Sequence, residues 1–128
     1  MRYYSVPFAL FLGASAALAD GAAPVTLPTL PEMTQAEQVA LLDRLVVANV
    51  VSSNCADFPV RDGEWGLLTG TADLIAADLG LDAAAYDAAF YSPAFDLLDD
   101  PATCAAKGPD VRPALEAIIA MGGSPTAP

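Results

Sequence analysis

The 128-residue sequence contains no histidine, and only five basic residues stand against 16 acidic ones. Without histidine the chain lacks the commonest general base, the commonest zinc ligand and the side chain that titrates in mild acid. A Ser–His or Cys–His nucleophile cannot be built. A formal charge of −11 excludes nucleic acid as a partner, since its binding needs a dense set of Lys and Arg. It also excludes a polybasic membrane-surface patch. Lysine occurs once, at Lys107, where a helix C-terminus suits it better than a Ser–Lys dyad. The two cysteines lie 49 residues apart, too far for a C-x-x-C redox pair, and no C-x-x-C-His haem motif exists.

Apolar residues, by contrast, make up 55% of the chain. The first block of them reads as a leader. Arg2 gives a positive start, Val6 to Leu18 form an apolar stretch broken by Gly13 and Ser15, and Ala17-Leu18-Ala19 is a small-x-small cleavage site. The run is too short for a stable span, so no membrane insertion is expected after cleavage. Removal of Met1–Ala19 takes Arg2 with it, leaving 16 acids against 4 bases, or −12. The remaining chain is expected to be periplasmic or secreted, where Cys55 and Cys104 would pair as a structural disulfide.

Residues 20–31 carry three prolines and read as an extended linker, and 122–128 as a flexible tail. Between them, 32–121 is expected to form one all-α domain, a small bundle of five to six helices pinned by the disulfide. Thr34-Gln35-Ala36-Glu37 has the form of a capping box that opens a long helix to about Ser52. Val39, Leu42 and Leu45 share one side of its first half. Asp62 is placed to cap a second helix carrying Trp65, Leu68, Ala72, Ile75 and Leu79 at steps of three and four. Gly80 should stop it, with Leu81 folding back. Asp82 caps a third; Ser92-Pro93 and Asp100-Pro101 open two short ones, the second ending at Lys107-Gly108. A last helix runs from Val111 to Met121.

Nothing here selects a catalytic residue, a cofactor or a metal. Asp96, Asp99 and Asp100 crowd one stretch, but the alternating Asp/Asn loop with central Gly of an EF-hand is missing, so they read as caps and solvated surface. Trp65 and Phe90 read as core from their helical spacing. Leu45 to Val51 is apolar on nearly every side. Such a helix needs cover on every side, so it is either the central helix or part of a homodimer or client surface. That surface would comprise Leu45, Val46, Val47, Val50 and Val51 with Trp65 and Tyr91. Asn49, inside the apolar run, must find a hydrogen bond.

Cys55-Ala56-Asp57-Phe58, then Asp62-Gly63-Glu64-Trp65 opening a helix, then a second cysteine about fifty residues on, resembles the small periplasmic acid-stress chaperones of the HdeA type. The resemblance spans roughly 54–107. It implies an all-helical dimer at neutral pH that loosens in strong acid and exposes apolar surface to unfolded clients. Two features depart from that pattern: the helix before Cys55 is long, and lysine-rich ends are absent. Full carboxylate protonation would leave Arg44, Arg61, Lys107, Arg112 and the N-terminus, about +5. A constitutive protein-interaction module, an inhibitor or subunit of an envelope complex, is the alternative.

Overall fold

The computed structural model describes residues 24–128; the leader expected at 1–19 lies outside them. Among the described residues the chain is helical, with no strand and no helix long and apolar enough to cross a membrane. The helices form four continuous segments, fewer than the five to six expected. Helix α1 is Gln35–Asn54 and α2 is Asp62–Asp78. The third segment, 83–99, joins helix Ala83–Tyr86, a π turn Asp87–Tyr91, helix Ser92–Asp96 and a 3-10 turn Leu97–Asp99. The fourth, 103–120, joins Thr103–Lys107, a 3-10 turn Gly108–Asp110 and Val111–Ala120.

The missing boundaries have one cause. A proline ends a helix only if the ladder cannot adjust around its absent N–H. At Pro93 the ladder widens just beforehand, and the Ser92 N–H reaches back five residues to the Asp87 carbonyl. At Pro109 it tightens into a 3-10 turn. Asp100-Pro101 is a true break: Asp100 is extended, and its Oδ1 accepts the Ala102 N–H at 2.9 Å.

The capping box of α1 is complete: Thr34 Oγ1 accepts the Glu37 N–H at 3.2 Å and Glu37 Oε2 the Thr34 N–H at 3.3 Å. Asp82 Oδ1 accepts the Ala85 N–H at 2.8 Å. Gly80, at φ 71°, closes α2, with the Gly80 N–H on the Ala77 carbonyl and the Leu81 N–H on the Ala76 carbonyl. Asp62 is not the cap of α2. Arg61 holds that position without a side-chain bond, and Glu64 Oε1 reaches back to its N–H at 3.0 Å. Arg61 already has the extended conformation a cap needs, so the helix begins one residue earlier.

Helix α1 is the central element, touching all three other segments. Leu42, Leu45, Val46 and Val51 are fully buried against Leu67, Leu68 and Ile75 of α2 and Leu115 and Ile118 of the fourth segment. Its first turns reach past this core, which leaves Val39 exposed rather than on the buried side. The Cys55–Cys104 disulfide, with Cα atoms 5.6 Å apart, ties the end of α1 to the fourth segment. The Phe58 ring lies close against Gly108, leaving no room for a side chain there.

The linker and tail do not run free of the body. Thr26 and Ser124 form an antiparallel bridge, N–H to carbonyl in both directions at 3.0 and 2.8 Å. Thr26 Oγ1 also donates to the Thr126 carbonyl at 2.8 Å. Extended, proline-rich chain cannot satisfy its own amides, and each stretch supplies the other's partners.

Candidate functional site

Of the seven residues expected to form a client or dimer surface, Leu45, Val46, Val50 and Val51 are buried within the single chain. The folded chain therefore covers its own apolar helix, and these four offer no surface in this state. Tyr91 is half-buried, not a free surface residue. Its hydroxyl accepts from Asn49 Nδ2 at 3.1 Å, which is how the amide inside the apolar run is satisfied. Ser53 Oγ donates to the other end of that amide, Asn49 Oδ1, at 3.4 Å.

Trp65 and Val47 do reach solvent. Trp65 is 41% exposed, against the core position its spacing suggested, whereas Phe90 is buried. The buried face of α2 is centred on Leu67, Leu68, Thr71 and Ile75, and Trp65 lies on its flank, in line with the small Ala72 and Ala76.

Val47 is half-buried because it floors a groove. Asp43, Arg44, Val47 and Ala48 of α1 form one wall; Pro93, Ala94 and Leu97 of the third segment and Lys107 and Asp110 of the fourth close it. Two lobes, of about 170 and 250 Å³, share Asp43, Val47 and Lys107. The groove exists because the π turn before Pro93 and the 3-10 turn at Gly108–Asp110 interrupt straight helix packing over α1. Its floor is aliphatic and its rim carries two cations and two carboxylates.

Those cations are distinctive in so acidic a chain. Arg112 is paired with Glu64, the one ion pair among the described residues. Arg61 is engaged at the same carboxylate through its backbone N–H and its charge. Burial pushes the Glu64 carboxyl up, but the Arg112 hydrogen bond, the Arg61 N–H and both charges outweigh it, and the net shift is downward. Arg44 and Lys107, the two other bases among the described residues, both line the groove, and no described carboxylate lies within salt-bridge distance of either. Lys107 does end the helix Thr103–Lys107, as its spacing suggested, but its place at the groove, like that of Arg44, is not visible in the sequence. The signal available was the scarcity of bases itself.

On the far side of α1 a second polar set joins three elements. Burial raises the Tyr86 hydroxyl above its usual range, with Tyr91 and Asp73 adding to it, so it stays protonated. It donates to Asp73 Oδ1 of α2 at 3.2 Å. The Tyr86 and Tyr91 rings stand 5.2 Å apart. This set holds the π turn in place and presents no reactive group. No three His, Cys, Asp or Glu side chains gather as a metal site among the described residues. No protein-family model, curated protein or solved structure matches the chain.

Proposed function

We propose that this is an exported, non-enzymatic protein-interaction module, folded and competent at neutral pH, which engages a polypeptide partner through the groove over Val47. The carrying observation is that Arg44 and Lys107 converge on an aliphatic-floored groove of an otherwise anionic body. Two lobes of side-chain size with both signs of charge on the rim suit a polypeptide segment of mixed character. The net negative charge would steer partners with a basic surface towards the molecule.

A holdase chaperone of the acid-stress kind is the second reading, favoured by one feature. The cover over α1 on the third-segment side is made of four- and five-residue helical pieces around a π turn, and its opening would release Leu45 to Val51 to clients. Against it stands the limited hold that acid has on the fold. One ion pair is available to break among the described residues, and no histidine is present to titrate.

Near-UV CD and client aggregation followed from pH 7 to pH 2, with the disulfide intact, separate the two. The module reading expects tertiary structure to persist and clients to aggregate unhindered. It further expects a partner purified from the envelope at neutral pH to be lost on Lys107→Glu or Val47→Asp without a change in melting temperature. Loss of tertiary structure near pH 2 together with protection of clients would instead support the chaperone.

A further inference from the structure

The stretch that carries Lys107 to the groove is lightly anchored. From 95 to 110 no apolar side chain is fully buried; Leu98 and Cys104 are half-buried against the core, and the next buried apolar residue is Val111. Its hydrogen bonds are local. The Asp100 and Thr103 N–H groups reach the Leu97 and Asp100 carbonyls, the Ala106 N–H reaches that of Ala102, and Thr103 Oγ1 donates to the Leu97 carbonyl. Among the described residues no hydrogen bond or ion pair runs from 100–110 to α1 or α2. Side-chain contact aside, the tie to α1 is the Cys55–Cys104 bond. A stretch held this way lies at the low end of local stability once that bond is gone.

We propose that the Cys55–Cys104 disulfide is a redox latch on the groove over Val47: reduction by a protein dithiol frees 101–107 and carries Lys107 off the rim, while α1, α2 and Val111–Ala120 stay packed. Lys107 follows Cys104 by three residues in the helix Thr103–Lys107, so the two share a face. The bond that holds Cys104 to the end of α1 thereby sets Lys107 at the groove. The freed piece has defined ends. Asp100 is extended, a break in the helical path, and Gly108 is held under the Phe58 ring. That the opened groove releases a partner rests on the function proposed for it; that the turn opens does not.

Cys55 is 4% exposed and Cys104 half-buried, so an incoming thiolate reaches Cys104 Sγ first. The S–S bond breaks, a mixed disulfide forms on Cys104, and Cys55 leaves as a thiolate and takes up a proton. The second thiolate of the reductant then attacks its own sulfur in the mixed disulfide, and Cys104 leaves and is protonated. Two electrons and two protons pass to the protein, and the dithiol becomes a disulfide. In an oxidising compartment the latch is closed until such a reductant acts.

The test uses the full mature chain at pH 7, followed by NMR with and without dithiothreitol, with free thiols counted by alkylation. On reduction the amide signals of Thr103–Lys107 should take free-chain positions and the Val47 methyls should shift, while Leu67, Leu115 and Ile118 keep their places. Cys55→Ser with Cys104→Ser should give the same pattern without reductant. Phe58→Ala in the oxidised chain should leave the turn seated. Amides of 103–107 that stay put after reduction overturn the proposal. So does loss of the dispersed Leu67, Leu115 and Ile118 signals, which makes the bond a staple of the whole fold, and so does release of the turn by Phe58→Ala alone. None of these signals involves a partner, so they judge the latch by itself; partner capture with Lys107→Glu judges the groove.

Discussion

The most exacting test of this architecture is the amide at the middle of α1. Asn49 is 8% exposed, flanked by buried Val46 and Val50, and its Nδ2 donates to the Tyr91 hydroxyl 42 residues away. Tyr91→Phe keeps the ring and its contact with Tyr86 but strands a buried donor. Leaving such a group unsatisfied costs about 1–3 kcal/mol, whereas replacing both partners with apolar groups of similar shape is nearly neutral. Asn49→Leu removes the amide and leaves only a half-buried hydroxyl, which turns to water at little cost. Tyr91→Phe should therefore destabilise by about 1–3 kcal/mol, Asn49→Leu by less than about 1, and the double variant by no more than Asn49→Leu alone. In a domain of this size 1 kcal/mol lowers the melting temperature by roughly 4–8 °C. Urea unfolding at pH 7 with the disulfide intact, followed by far-UV CD, gives the cycle directly. Additive effects, or a Tyr91→Phe cost below about 0.3 kcal/mol, would show that the bond does not anchor the third segment to α1.

Three further outcomes follow from the same geometry. Replacing both Cys55 and Cys104 by alanine should lower stability by about 4 kcal/mol in the chain-entropy model for a 49-residue loop; calorimetry at neutral pH measures it, and a loss under 1 kcal/mol would contradict the reasoning. Glu64 has a folded-state pKa below its unfolded value, so its contribution is fully present above the ordinary glutamate range and is lost as pH falls through the lower folded value. Glu64→Gln should accordingly be less stable than the parent at pH 7 and equal to it at pH 2 in urea titrations. Gly80→Ala should cost about 1–2 kcal/mol, because φ is 71° there and nothing crowds the position; an unchanged urea midpoint would refute a purely conformational penalty.

What could be read from the sequence follows the range of the interactions concerned. The capping box at Thr34 and Glu37, the cap at Asp82 and the stop at Gly80 are local, settled within four residues by backbone amides that need partners. The Cys55–Cys104 pair was legible because two cysteines allow one intramolecular partner. The cap of α2 was expected at Asp62 and lies at Arg61, because a good capping side chain does not ensure that the helix begins after it. The segment count failed at Pro93 and Pro109, where a widened and a tightened turn carry the chain past residues that usually stop a helix. Of the candidate site, Val47 was legible as apolar surface. Arg44, Pro93, Leu97 and Lys107 were not, since a groove belongs to three segments and no one of them shows it.

Composition by itself determined that this chain is acidic, without histidine, and helical through a long apolar α1; those are properties of residue type and spacing. Tertiary structure alone decided that Leu45, Val46, Val50 and Val51 are covered within one chain while Val47 is left in a groove, because cover depends on where α2 and the last two segments fold, not on α1. It decided also that Asn49 meets Tyr91 and that the tail crosses Gly63. A buried amide and a helix glycine each state a need in the sequence, for a hydrogen bond or for close approach, and only the fold supplies the distant atom that meets it.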